Sequence, residues 1–108
     1  MKSSATINLV GETYKPTEYF LRDTRVGQMP VAHVYVKTWA YRSNGILMKS
    51  FWRCSVWGDA AAEAAKIGVN QKVMVTGELR EPNVWQNSQT GEQMITQQMH
   101  VIAINGVA

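Results

Sequence analysis

The sequence predicts an all-β fold, a five-stranded Greek-key barrel with one short helix between the third and fourth strands. Three observations predict it. The runs 31–42 and 47–57 are rich in β-branched and aromatic residues and alternate with period 2. One stretch alone, Ala60-Ala61-Ala62-Glu63-Ala64-Ala65-Lys66, has helical character. With 108 residues, 45% of them hydrophobic and 18% charged, the chain suits one domain with a modest core (1–108) and is not disordered throughout.

Residues 1–4 are small and polar and read as a frayed terminus. Ala5 to Glu12 reads as the first strand, Ile7 and Leu9 alternating with Asn8 and Val10, and Gly11 marking a bend. From Thr13 to Pro30 the alternation loosens around Pro16. An irregular connection is expected there, with a short extended piece at Tyr19 to Arg22. In the second strand, Val31 to Arg42, the residues Ala32, Val34, Val36, Thr38 and Ala40 form an inward row. His33, Tyr35, Lys37, Trp39 and Tyr41 form an outward one. Ser43-Asn44-Gly45 is a turn signal that folds this strand onto the next.

In that third strand, Leu47 to Trp57, the residues Trp52, Cys54 and Val56 are wholly apolar and belong in the core. Phe51, Arg53, Ser55 and Trp57 face the other way, interleaving two aromatic rings with a guanidinium and a hydroxyl. Such a row is a poor core face and a good platform for single-stranded nucleic acid, because bases stack on rings and cations meet phosphates. The hairpin lets the two aromatic rows share one face.

In the helix, Asp59 is expected as N-cap, Lys66 suits the last turn and Gly68 ends it. A fourth strand, Gln71 to Arg80, directs Val73, Val75 and Leu79 inward and Lys72, Thr76 and Arg80 outward. Pro82 to Glu92 reads as a polar loop carrying a lone Trp85, and Gln93 to Ile104 as the fifth strand. Five strands with a helix between the third and fourth is the layout of the OB-fold, a barrel that commonly binds oligonucleotides.

Other classes find little support. A net charge of +3 leans towards polyanions without requiring them. His33, His100 and Cys54 lack metal-ligand spacing, so no metal or cofactor is expected. Asp23 and Asp59 are the only aspartates. No Gly-rich phosphate loop or nucleophile with its base is present, so no enzymatic activity is expected. The single Cys54 favours a reducing compartment, and the absence of a signal-peptide core or membrane-length apolar run makes a cytoplasmic protein the expectation.

The residues also resemble the bacterial single-stranded DNA-binding proteins. The resemblance rests on Asn8-Leu9-Val10-Gly11, on Gly27 and Val31-Ala32-His33-Val34, and above all on Phe51-Trp52-Arg53-Cys54-Ser55-Val56-Trp57-Gly58 with Ala62-Glu63. It extends through Val73-Met74-Val75-Thr76-Gly77-Glu78-Leu79-Arg80 to Trp85. It implies an OB-fold and a homo-oligomer, a tetramer ahead of a dimer. It also implies binding to single-stranded DNA in replication, recombination and repair. Phe51, Trp57 and Trp85 fall where the family stacks bases, and Arg53 and Arg80 where it carries basic residues.

Three departures stand out. The family's flexible, acidic-tipped carboxyl-terminal extension has no counterpart after Gly106-Val107-Ala108, which fits either a truncated chain or a short form and puts tail-dependent partners in question. Ala5 and Asn8 replace the family's preferred types in the first strand. The stretches 13–30 and 82–92 are longer than usual.

For Tyr35, Trp39 and Tyr41 a subunit interface is an equal alternative, since interfaces are also rich in Tyr and Trp. Lys37, Lys49 and Lys72 read either as solvated charge or, by their place beside the rings, as phosphate contacts. Two further readings stay open: a primosomal accessory protein of the same fold, acting chiefly through protein contacts, and a structural module whose aromatic rows are all interface.

Overall fold

The computed structural model describes residues 5–41, 43–45, 47–91 and 93–107. The expected frayed terminus at 1–4, Arg42 and Glu92 lie outside the described residues, as do the side chains of Tyr41 and Met94. The elements are β1 (Thr6–Thr24), β2 (Gly27–Tyr41), β3 (Leu47–Trp57), α1 (Ala60–Ala64), β4 (Lys72–Gln86) and β5 (Gln93–Gly106). They close into a barrel in the order β1-β2-β3-β5-β4, with β4 returning to β1. Only the β3–β5 pairing is parallel. The expected five-stranded barrel, with its helix between the third and fourth strands, is the one observed.

The inward rows meet as the alternation requires. Val34, Val36, Cys54, Val73 and Val75 are wholly buried, and Ala61 and Ala64 of α1 close the same core. Trp52 packs against this cluster, its indole N–H donating to Thr38 Oγ1 at 3.0 Å, so it is a core residue. Two glycines let the strands cross closely. A Cβ on Gly11 would meet the Lys37 carbonyl and lie 2.6 Å from Val36 Cγ1. One on Gly77 would meet the His100 carbonyl and lie 2.7 Å from Met99 Cγ.

Several sequence expectations are corrected. The stretch Thr13 to Pro30 is no irregular connection: β1 runs on to Thr24 and turns at Arg25-Val26 into β2. Pro16 is accommodated because the β1–β2 register shifts between Lys15 and Glu18, where no ladder bond is asked of it. Pro82 to Gln86 is likewise no loop. The β4–β5 register shifts between Arg80 and Asn83, around Pro82, and pairing resumes from Asn83↔Thr96 to Gln86↔Gln93 as a projecting arm.

Leu79 and Ala40, expected inward, are exposed. Each lies beyond its strand's pairing with β1, which ends at Glu78 on β4 and Lys37 on β2, so the β1 ladder does not cover it. Asp59 sits at the helix N-cap but in helical geometry and makes no side-chain cap bond. The Gly58 carbonyl accepts the Ala61 N–H instead. The helix stops at Ala64, short of Lys66 and Gly68, as the Lys66 and Ile67 N–H groups bond three residues back and tighten the turn.

Thr13 ties this distant turn to β1. Its hydroxyl donates to the Gly68 carbonyl at 2.6 Å and accepts the Gln71 N–H at 2.9 Å. Its own backbone bonds both Gln71 and Asn70.

Candidate nucleic-acid interface

Register builds the outward face. On β2 and β3, His33 stands opposite Ser55, Tyr35 opposite Arg53, and Lys37 opposite Phe51. The parallel β5 sets Gln98 beside Arg53 and His100 beside Ser55. From the other side β1 brings Lys15 to Tyr35 and Glu18 to His33. The convergence of the two rows expected from the hairpin is therefore met, and β1 and β5 widen it.

The principal hollow on this face is a cleft of about 440 Å³. Tyr14 and Phe51, ring centroids 5.2 Å apart and edge to face, form one wall. Trp85 and Ile95 on the β4–β5 arm form the other, with Lys15, Tyr35, Arg53, Asn83 and Thr96 also lining it. Trp85 is 44% exposed, and its indole N–H donates to Thr96 Oγ1 at 3.3 Å, which orients the ring. A second hollow of about 390 Å³ lies between Trp57 and Arg80, over Ser55, Gln98 and His100. The Arg22 guanidinium lies 5.9 Å from the Trp57 ring. Arg80 is exposed, its Nη2 3.5 Å from Glu78 Oε2. Aromatic walls with guanidinium groups between them suit flat, π-faced ligands joined by anionic linkers.

Arg53 is held rather than loose. Its Nη2 donates to Gln98 Oε1, and Gln98 Nε2 donates in turn to the Glu81 carbonyl at 3.1 Å, at the bulge from which the arm projects. Its buried Nε has no hydrogen-bond partner among the described residues.

Tyr35 corrects one expectation. At 8% exposure, edged by Tyr14 and His33 and with the Lys15 ammonium 4.0 Å from its ring centroid, it cannot offer a face for stacking. Its hydroxyl donates to Glu18. Burial, then the hydrogen bond to Glu18, pushes the phenol up to about 12. Burial and the nearby Arg53 hold His33 below its ordinary value.

Not every expected site residue joins the cleft. Trp39 and Lys72 line a separate small hollow with Val10, Gly11 and Glu12, and the Lys37 ammonium lies 6.0 Å from the Trp39 ring. Tyr41 pairs with Leu47 in the ladder, and its side chain lies outside the described residues. Sequence reasoning missed Tyr14, Lys15, Arg22 and Asn83, on stretches read as connections, and Ile95 and Thr96, on the expected fifth strand but not singled out there. The signal for Tyr14 was present: Asn8, Val10, Glu12 and Tyr14 continue one outward alternation. Among the described residues, no group of three or more His, Cys, Asp or Glu is placed to hold a metal.

No protein-family model matches the chain, and no curated protein matches it in sequence. Among solved structures it is similar to the crystal structure of the small single-stranded DNA-binding protein from Streptomyces coelicolor. The TM-score is 0.64, and the alignment covers 98% of this chain and 96% of that one at 16% identity. The chain has an OB-fold. At that identity the similarity fixes the barrel and its strand order, and the chemistry must be argued from the cleft.

Proposed function

We propose that this OB-fold protein binds single-stranded DNA without strong sequence preference and without catalysis. The observation that carries the reading is the cleft, whose walls are Phe51 with Tyr14 and Trp85 with Ile95, and in which Arg53 is held. Bases stack against Phe51 and Trp85 in the cleft and against Trp57 in the second hollow. Each contributes on the order of 1–3 kcal/mol, tolerant of sequence because every base has a π-face. Arg53, Arg80 and Lys37 supply phosphate contacts, each phosphate neutralised adding about −0.7 to the slope of log K against log salt. Lys72 and Trp39, set apart in their own hollow, extend the path only if the strand passes over β1. Duplex DNA binds poorly, since paired and stacked bases cannot meet the rings.

The similarity to the Streptomyces protein supports this reading. A place in replication, recombination and repair in the cytoplasm belongs to the proposal. A homo-oligomer, a tetramer ahead of a dimer, is part of the proposal. The exposed Val10 and Met74, cross-strand neighbours on the β1–β4 side, favour it.

The test is intrinsic tryptophan fluorescence on titration with oligo-dT at low and moderate salt. Strong quenching that weakens with salt is expected. Absence of quenching at low salt refutes the reading and reassigns the aromatic rows to a protein interface.

A further inference from the structure

Glu18 stands among the cations of the outward face and has no part in base stacking. More than half of its side chain is exposed, yet it is engaged: Oε1 accepts the Tyr35 hydroxyl and lies 3.9 Å from Nδ1 of His33, its cross-strand partner. The Lys15 ammonium lies 4.0 Å from the same tyrosine ring, and Arg53 faces Tyr35 across the β2–β3 ladder. Tyr35 lines the cleft at 8% exposure, and its hydroxyl, bonded to Glu18, is the polar group it offers there.

A carboxylate bonded by a phenol and close to an imidazole edge, beside a tyrosine that an ammonium and a guanidinium also neighbour, occupies a place that would serve a phosphate oxygen equally well. We propose, resting on the single-strand reading above, that Glu18 fills a phosphodiester subsite built from Tyr35 Oη and His33, flanked by Lys15 and Arg53. A bound strand displaces the carboxylate into solvent.

The geometry permits the exchange. Glu18 follows directly on the register shift around Pro16, its side chain is more than half exposed, and the hydrogen bond it gives up, from Tyr35, is the one the incoming phosphate oxygen takes over. Each strand contact at this point is then an exchange of one anion for another. That lowers affinity and leaves the protein an internal ligand that refills the subsite when the strand departs.

The test is fluorescence anisotropy of a labelled dT oligonucleotide across a salt series, with wild type, Glu18→Gln, Glu18→Ala, Tyr35→Phe and the Glu18→Gln/Tyr35→Phe pair. Melting curves confirm that each variant is folded. Both Glu18 variants should bind at least about threefold tighter at low salt, and the slope of log K against log salt should steepen by about 0.7, one more phosphate being neutralised without exchange. In the Tyr35→Phe background the gain should largely vanish, because the hydroxyl that holds the phosphate is gone.

A gain of equal size in both backgrounds overturns the subsite and leaves only long-range repulsion. Unchanged affinity in both Glu18 variants, with wild type binding, places Glu18 off the strand's path and overturns it as well. Failure of the wild type itself to bind dT at low salt refutes the single-strand reading, and the subsite with it.

Discussion

Replacing Trp85 with alanine tests the cleft most directly. The indole belongs to the β4–β5 arm, outside the barrel core, and is 44% exposed. Its indole N–H donates one hydrogen bond, to Thr96 Oγ1 at 3.3 Å. Removing such a side chain should cost the fold little, within about 0.5 kcal/mol, as is usual for surface positions. It should also remove one stacking wall, worth on the order of 1–3 kcal/mol, or about 5- to 150-fold in Kd. Anisotropy of a labelled dT oligonucleotide is the suitable assay, since it does not depend on the fluorophore being deleted. The salt slope should stay at the wild-type value, because no cation has been lost. Wild-type affinity from a folded Trp85→Ala protein would refute the reasoning, since the arm would then be a bystander rather than a wall.

Two further predictions concern the barrel. Gly77→Ala drives a Cβ into the His100 carbonyl and Met99, so it should cost about 1–3 kcal/mol and lower Tm by at least about 4 °C. Gly106→Ala, where a Cβ meets nothing within 4 Å, is the control for a general effect of losing a glycine. Equal melting temperatures for the two variants would contradict the close crossing at Gly77. Burial pushes the Cys54 thiol up to about 12, and Tyr35 is raised as far. Because the folded state then holds both protons more tightly than the unfolded chain, their stabilising contribution is whole below about pH 9 and is lost as pH rises towards 12. Thermal melts should show that alkaline decline, and Cys54 should resist a thiol reagent near neutral pH until the protein unfolds. Rapid labelling of the native protein would count against its burial.

Where periodicity was unbroken, the sequence was enough. Leu47–Trp57 has the bounds expected of it, and the inward valines of β2 and β4 form the core. Both large misreadings share one cause. Pro16 and Pro82 look like strand breakers, and in an ordinary ladder they would be. Each instead falls where the register skips, so the missing N–H leaves no donor unpaired and the strand continues beyond it. A skip is a relation between two strands, invisible in either one alone. The same limit hid half of the cleft. Tyr14 falls in a first β1–β2 skip, between Thr13 and Lys15, Lys15 lies just before the next, and Asn83 and Trp85 come just after the β4–β5 skip. The burial of Tyr35 was equally unreadable, because alternation gives the side a residue faces and not what β1 lays over it.

The order of strands around the barrel bears on how the chain comes to be usable during synthesis. β5 sits between β3 and β4 and is the last of the five strands to be made. Until it emerges, β3 and β4 each present an open edge, and the barrel has a gap one strand wide. The same strand brings Gln98, which fixes Arg53, and Ile95 and Thr96, which complete the arm that carries Trp85. A nascent chain lacking β5 therefore has rings and cations but no groove to put them in. Closure of the barrel and completion of both hollows thus arrive as one late event.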